Sequence, residues 1–130
     1  MIELNYLAIV GAALAAFVAS SVYYVGLGRQ LAALSPAYAD TSRPPAWKIV
    51  QEPIRNFVIA SVVAGLADLV GMVDFARALL LGLALWIAFP VMILAGSVIH
   101  ENVPPKLAAI HAGDWLIKLV LIAVIVAVWP

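Results

Sequence analysis

Long uncharged runs are the feature that most constrains this chain of 130 residues. Residues 5–27 and 78–99 contain no Asp, Glu, Lys or Arg over 23 and 22 consecutive positions. An α-helix rises about 1.5 Å per residue, so either run is long enough to cross a hydrocarbon core of roughly 30 Å. The sequence therefore predicts helices that span a membrane.

The composition supports the same class of protein. Of all residues, 66% are hydrophobic and 11% are charged, and the mean hydropathy is +1.12. Soluble domains spend about a quarter of their residues on charge, so this chain has too few polar side chains to cover a surface in water. We therefore exclude an ordinary soluble domain, a nucleic-acid binder and a disordered tail. Without Cys and with only two His, no disulfide, thiolate nucleophile or structural zinc site is expected.

The predicted fold is all-α. It is an integral membrane bundle of four transmembrane helices in an antiparallel up-down order, forming a single domain over residues 1–130. The predicted helices cover residues 5–27, 53–73, 76–99 and 106–129, and a polar loop lies at 28–48. Pro53 suits the first position of a helix, whereas Pro90 falls within the third helix and predicts a kink that frees the Trp86 carbonyl. Because Glu3 precedes the first run, where a signal peptide has Lys or Arg, that run is interpreted as an uncleaved helix.

Small residues of the first helix recur at a spacing of four in two sets, which are Gly11, Ala15 and Ala19, and Ala12, Ala16 and Ser20. Such a face lets the backbone of another helix approach closely, which matters in lipid because no hydrophobic drive between helices remains. The pattern predicts close helix packing through the first helix.

Basic residues near the predicted helix ends indicate an orientation. Arg29, Arg43, Lys48, Arg55 and Lys106 belong to the first and third loops or their edges, whereas only Arg77 belongs to the second. Lys and Arg concentrate on the cytoplasmic side of membrane proteins. The sequence predicts a bacterial cytoplasmic membrane protein with both termini outside.

The fourth helix contains ionisable residues within a predicted membrane span, where such residues are costly. His111, Asp114 and Lys118 are separated by three and four residues, so they fall within an arc of about 60° on one face. One interpretation is a site for a proton or solute, with His111 titrating near neutral pH. Another is an Asp114–Lys118 ion pair that only fixes helix packing, and a third is that Lys118 extends to the membrane surface.

Two other polar groups lie at predicted turns. Asp68, Asp74 and Arg77 bracket the second turn and predict a structural pairing of Arg77 with one of the carboxylates. His100 and Glu101 precede the fourth helix, where a hairpin would bring Glu101 close to Lys106. These two are secondary candidates for a functional role, because His and Glu can act as acid and base.

No nucleophile, set of metal ligands or phosphate-binding loop accompanies these residues. We therefore expect no enzyme activity, no catalytic residues, no metal and no cofactor.

The second half of the chain resembles a known family. The segment Leu83–Phe89 and the phrase HENVPPKLAAIHAGDWLIKL within residues 100–129 are similar to a bacterial family of small membrane proteins, domain of unknown function 1761. Residues 23–29 resemble the aromatic-then-basic end of that family's first helix. Many members have a Trp-Tyr-Ser-Pro type segment there, but Tyr23–Gly26 contain no Pro, so no role of that Pro is carried over. The resemblance implies a four-helix membrane architecture and no assigned activity.

The sequence favours the first of two functions, and the second is its alternative. The first is a non-enzymatic accessory component, which associates with itself or with a larger membrane-protein partner. The small-residue face and the short loops favour it. The second is a small proton-coupled or solute transporter that acts as a dimer, with the polar stripe of the fourth helix lining the pathway. In both, the lipid bilayer is a partner and nucleic acid is not.

Overall fold

The computed structural model describes residues 4–39, 45–72 and 74–129. Over these ranges the regular structure is helical. The helices are α1 (Tyr6–Gly26), α2 (Gly28–Leu34), α3 (Pro36–Ala39), α4 (Ala46–Leu69), α5 (Phe75–Trp86), α6 (Met92–Glu101) and α7 (Pro105–Val128), and a π-helical turn (Ile87–Val91) joins α5 to α6. Glu3, Arg43 and Val73, which entered the sequence-based predictions, lie outside the described residues.

Four helical segments in the described part of the chain are long and apolar enough to cross a membrane. They are α1, α4, the continuous segment Phe75–Glu101, which we call the third span, and α7. The predicted number and nature of the spans are therefore confirmed. The up-down order of all four stays a prediction.

One predicted boundary differs from the structure. Helix α4 begins at Ala46, so Pro53 lies inside the helix and not at its first position. A proline in a helix removes one hydrogen bond, to the carbonyl four residues earlier, which is that of Ile49. Residues 46–50 are exposed, and a carbonyl there can find another partner, so the helix tolerates the loss. The extra two turns place Glu52 and its neighbours on a helix, although the sequence predicted a loop.

Helix α7 is the centre of the bundle. It packs against α1, α4 and α5, and α1 packs against α4. The third span contacts chiefly α7. The buried core is made mostly of small and branched residues, namely Ile9, Ala12, Ala13, Ala16, Ala60, Val63, Ala64, Ala78, Leu119, Ile122 and Ala123. Alanine at these positions lets the helix backbones lie close together.

The small-residue face of α1 is used within the chain. Ala12, Ala16 and Ser20 are buried, and a Cβ added at Gly11 would lie 2.8 Å from the Trp129 ring. The predicted close packing is therefore present, and its partners are helices of the same molecule.

Pro90 lies in the π-helical turn of the third span. In a π-helix each carbonyl accepts from the amide five residues ahead, so the pattern bypasses a missing amide four residues ahead. Where the sequence predicted a kink, the structure therefore has a π-helical turn. Next to it, Trp86 Nε1 donates to the carbonyl of Ala112 at 2.8 Å and ties the third span to α7.

Candidate functional site

The polar stripe of α7 faces the interior of the bundle. Asp114 is 3% exposed and Lys118 is 4% exposed. Lys118 Nζ lies 3.1 Å from Asp114 Oδ2, and His111, one turn before Asp114, is partly buried. The structure therefore places the three predicted residues together. It buries Lys118 inside the protein, which argues against the third interpretation, that Lys118 extends to the membrane surface.

Ser20 of α1 completes the surroundings of Asp114. Its Oγ donates to Asp114 Oδ1 at 2.5 Å, so each carboxylate oxygen has a partner, one from Ser20 and one from Lys118. Sequence reasoning grouped Ser20 with the small residues of α1 and missed its polar role. The available signal was a hydroxyl at the last position of that small-residue set.

Glu52 of α4 links the buried pair to a more exposed charge. Its Oε2 lies 3.9 Å from Lys118 Nζ, and its Oε1 accepts from Arg55 Nη1 at 2.6 Å and from Gln51 Nε2 at 3.0 Å. The Glu52 side chain is 33% exposed and that of Arg55 is 54% exposed. Charged groups thus extend from the interior to the surface. Sequence reasoning missed Glu52 because it began the helix at Pro53.

Tyrosines from the end of α1 and from α3 close one side of the site. Tyr24 Oη and His111 Nδ1 are 2.7 Å apart and share a hydrogen bond, and Tyr23 Oη donates to the Ile110 carbonyl at 2.8 Å. The Tyr38 ring is stacked on Tyr24 at 6.4 Å between centroids. Burial is the largest cause that raises the pKa of the Tyr38 phenol, and the negative charges of Asp114 and Glu52 raise it further. The phenol therefore stays protonated at neutral pH and can donate a hydrogen bond.

A pocket of about 440 Å³ lies between these side chains. Two carboxylates, Glu52 and Asp114, face two cations, Arg55 and Lys118, so the formal charges of these four cancel. The remaining lining is hydroxyl and aromatic, namely Phe17, Ser20, Ser21, Tyr24, Tyr38, His111 and Trp115. Lys118 Nζ also lies 5.1 Å from the centre of the Trp115 ring, within range of a cation–π interaction. We call this cavity the polar pocket.

At the second turn, the structure shows a helix cap where the sequence predicted an ion pair. Asp74 caps α5 and accepts from the backbone N–H of Arg77 at 3.1 Å. Within the described residues, the Arg77 guanidinium forms no ion pair with Asp68 or Asp74. A helix N-terminus offers free amides, which a nearby Asp side chain satisfies at little entropic cost. Asp68 lines a separate pocket of about 610 Å³ near Asn5 and Trp129.

The secondary candidates lie outside the polar pocket. His100 and Glu101 are exposed at the end of α6. Among the ion pairs of the described part of the chain, none joins Glu101 to Lys106. Asn102, the residue that follows α6, caps the helix in the left-handed conformation with φ 56°. In the same described ranges, no group of three or more His, Asp or Glu side chains is placed to hold a metal ion.

Replacing Ser20 by Ala tests the hydroxyl contact with Asp114. A hydrogen bond to a charged group contributes about 1.5–3 kcal/mol, so Ser20→Ala should lower the free energy of unfolding by that amount. Ser21→Ala is the matched control, because Ser21 Oγ donates only to the Phe17 carbonyl of its own helix at 2.7 Å. Unfolding by SDS in mixed micelles measures the free energy of unfolding of both variants. Equal effects of the two substitutions would show that the Asp114 contact adds no stability.

The sequence of this chain is similar to a known protein family. Neither the curated proteins nor the solved structures contain a match to this chain. Residues 7–127 match the family described as Protein of unknown function (DUF1761), which covers almost the whole sequence. The resemblance seen in the sequence is therefore confirmed, and this multi-pass membrane protein belongs to the DUF1761 family.

Proposed function

We propose that the protein is a carrier for small polar solutes without net charge, and that the polar pocket is its binding site. One observation carries this proposal: a buried carboxylate–ammonium pair, Asp114 and Lys118, lines a cavity of about 440 Å³ between membrane-spanning helices. Ionisable groups at membrane depth are costly and usually mark a pathway for a solute or ion.

The lining supports this class of solute. Acidic and basic side chains are present in equal number, so a zwitterion or a neutral polar molecule meets no uncompensated charge. Because Tyr24 and Tyr38 offer flat aromatic surfaces and Ser21 a hydroxyl at the same pocket, both the apolar and the polar parts of a small solute find partners there.

The position of the pocket supports access from one side. Arg55 is more than half exposed, whereas the core beyond Lys118 contains apolar residues such as Ala16, Ala60 and Ile122. A site that is open at one end and closed at the other is what a carrier needs in one of its two states. The predicted orientation assigns the open end to the cytoplasmic side. A reporter fused to the C-terminus tests this, since a cytoplasmic signal there contradicts the orientation.

Binding to the purified protein tests the proposal. In nanodiscs, thermal unfolding is followed by tryptophan fluorescence with glycine, glycine betaine, glutamine and urea as probes. A probe at 100 times its dissociation constant stabilises the folded state by about 2.7 kcal/mol, so the unfolding midpoint should rise by several degrees. Uptake of the stabilising probe into proteoliposomes, with a pH-sensitive dye inside, then measures transport and any coupled proton movement.

Tyr38→Ala is the matched variant for this experiment. It removes a partly exposed pocket wall and leaves the Asp114–Lys118 pair intact, so binding should weaken about tenfold while the unfolding midpoint without ligand stays close to that of the wild type. If no probe shifts the wild-type midpoint, or if Tyr38→Ala binds as tightly as the wild type, the carrier proposal fails in this form.

A non-enzymatic accessory role is the second candidate. It is favoured by the Asp114 carboxylate, whose oxygens are satisfied within the chain by Ser20 and Lys118. On this proposal, exchanging the charges by Asp114→Lys with Lys118→Asp restores much of the folded protein that a single replacement loses. Purification in mild detergent then yields a homo-oligomer or a larger membrane partner. A monomer without co-purifying protein contradicts it.

A further inference from the structure

Asn56 is a buried polar side chain without a partner. It is 1% exposed, and neither its Oδ1 nor its Nδ2 has a hydrogen-bond partner among the described residues. A buried amide that forms no hydrogen bond is costly, and such groups are rare in folded proteins. The cost is larger in a membrane, where lipid offers no replacement. Packing alone therefore does not explain why a carboxamide is buried at this position.

Asn56 lies one helical turn beyond Glu52 and is not itself part of the lining of the polar pocket. It follows Glu52 by four residues in α4, so both side chains share one helix face and Asn56 lies about 6 Å further along the axis. Ala60, four residues further, belongs to the apolar core. Along α4, Asn56 thus lies between Glu52, which lines the polar pocket, and Ala60 of the apolar core.

We propose that Asn56 forms the inner end of the binding site and hydrogen-bonds the solute there. The inference rests on the proposed carrier function and names the class of solute more closely. A carboxamide with both atoms free pairs with a group that offers one donor and one acceptor side by side, such as a carboxyl, carboxamide or ureido group. Lys118 and Glu52 then contact the charged or polar remainder of the same molecule.

Cysteine labelling tests whether water reaches Asn56. The chain contains no Cys, so Asn56→Cys carries a unique thiol. A methanethiosulfonate with a quaternary ammonium group reacts with the thiolate, which forms only where water is present. We expect Asn56→Cys in nanodiscs to react at least about tenfold faster than Ala60→Cys, the matched control on the same helix face.

Asn56→Leu separates a binding role from a packing defect. The variant removes the unpartnered amide, so its unfolding midpoint should equal or exceed that of the wild type. The affinity for any of the four probes that stabilises the wild type should fall about tenfold. Unchanged affinity in Asn56→Leu, or equally slow labelling of Asn56→Cys and Ala60→Cys, overturns the inference while the carrier proposal stands. If no probe binds the wild type, the carrier proposal fails, and the inference that rests on it fails with it whatever the labelling rate.

Discussion

Replacing Asp114 by Leu is expected to lower the free energy of unfolding by about 3–5 kcal/mol. The substitution leaves the ammonium of Lys118 buried, with its remaining carboxylate, that of Glu52, 3.9 Å away. Breaking a buried pair is costly because the surviving charge keeps its desolvation penalty and loses its counter-charge. Unfolding by SDS in mixed micelles measures the effect.

The double variant Asp114→Leu with Lys118→Met tests whether the loss comes from the unpaired charge. It removes both charges and fills similar volume, so most of the lost stability should return. Arg55→Ala serves as the control for a charge at the exposed end, where the side chain is 54% exposed; its effect should stay within about 1 kcal/mol. A double variant as unstable as the single one would mean that Asp114 stabilises the fold through something other than the ion pair.

Replacing Gly82 by Val is expected to disrupt the contact between the third span and α7. A Cβ added at Gly82 would lie 3.0 Å from Val120 Cα and 3.2 Å from the Leu119 carbonyl oxygen. Both are backbone atoms, so the side chain fits only if α5 and α7 separate. Overpacking of this kind costs about 1–3 kcal/mol. The same SDS unfolding experiment measures it, and faster hydrogen exchange in α5 should accompany the loss.

Gly96→Val is the matched control in the same span. No atom outside the local helix lies within 4 Å of a Cβ added there. Valine also has a slightly higher helix propensity than glycine, so this variant should be as stable as the wild type to within about 1 kcal/mol. If both glycine variants lose the same stability, close approach at Gly82 is not the cause.

The spans could be predicted from the sequence because the bilayer sets their length and composition. Runs such as 5–27 admit few other structures, and the predicted ends of three spans agree with the structure to within two residues. The shared face of His111, Asp114 and Lys118 also followed from spacing alone, since helical periodicity places residues three and four apart together.

The rest of the site depends on how separate helices are rotated and shifted against one another. Ser20 reaches Asp114 from 94 positions away in the sequence, and Tyr24 reaches His111 from 87. No local pattern encodes these pairings. Glu52 was missed for another reason: Pro53 was taken as the first residue of the helix, whereas α4 begins at Ala46. Asn56 lay inside the predicted helix, but the sequence alone did not indicate that its side chain is buried.

The central position of α7 has a consequence for the order of assembly. The third span packs chiefly against α7, which follows it in the chain, whereas α1 and α4 pack against each other. During synthesis the first two spans can pair as soon as both are in the bilayer, but the third has no stable neighbour until the last one emerges. When α7 inserts, the third span can pack against it. At the same time Asp114 and Lys118 come into contact with Ser20 and Glu52. The polar pocket therefore forms in the final step of folding.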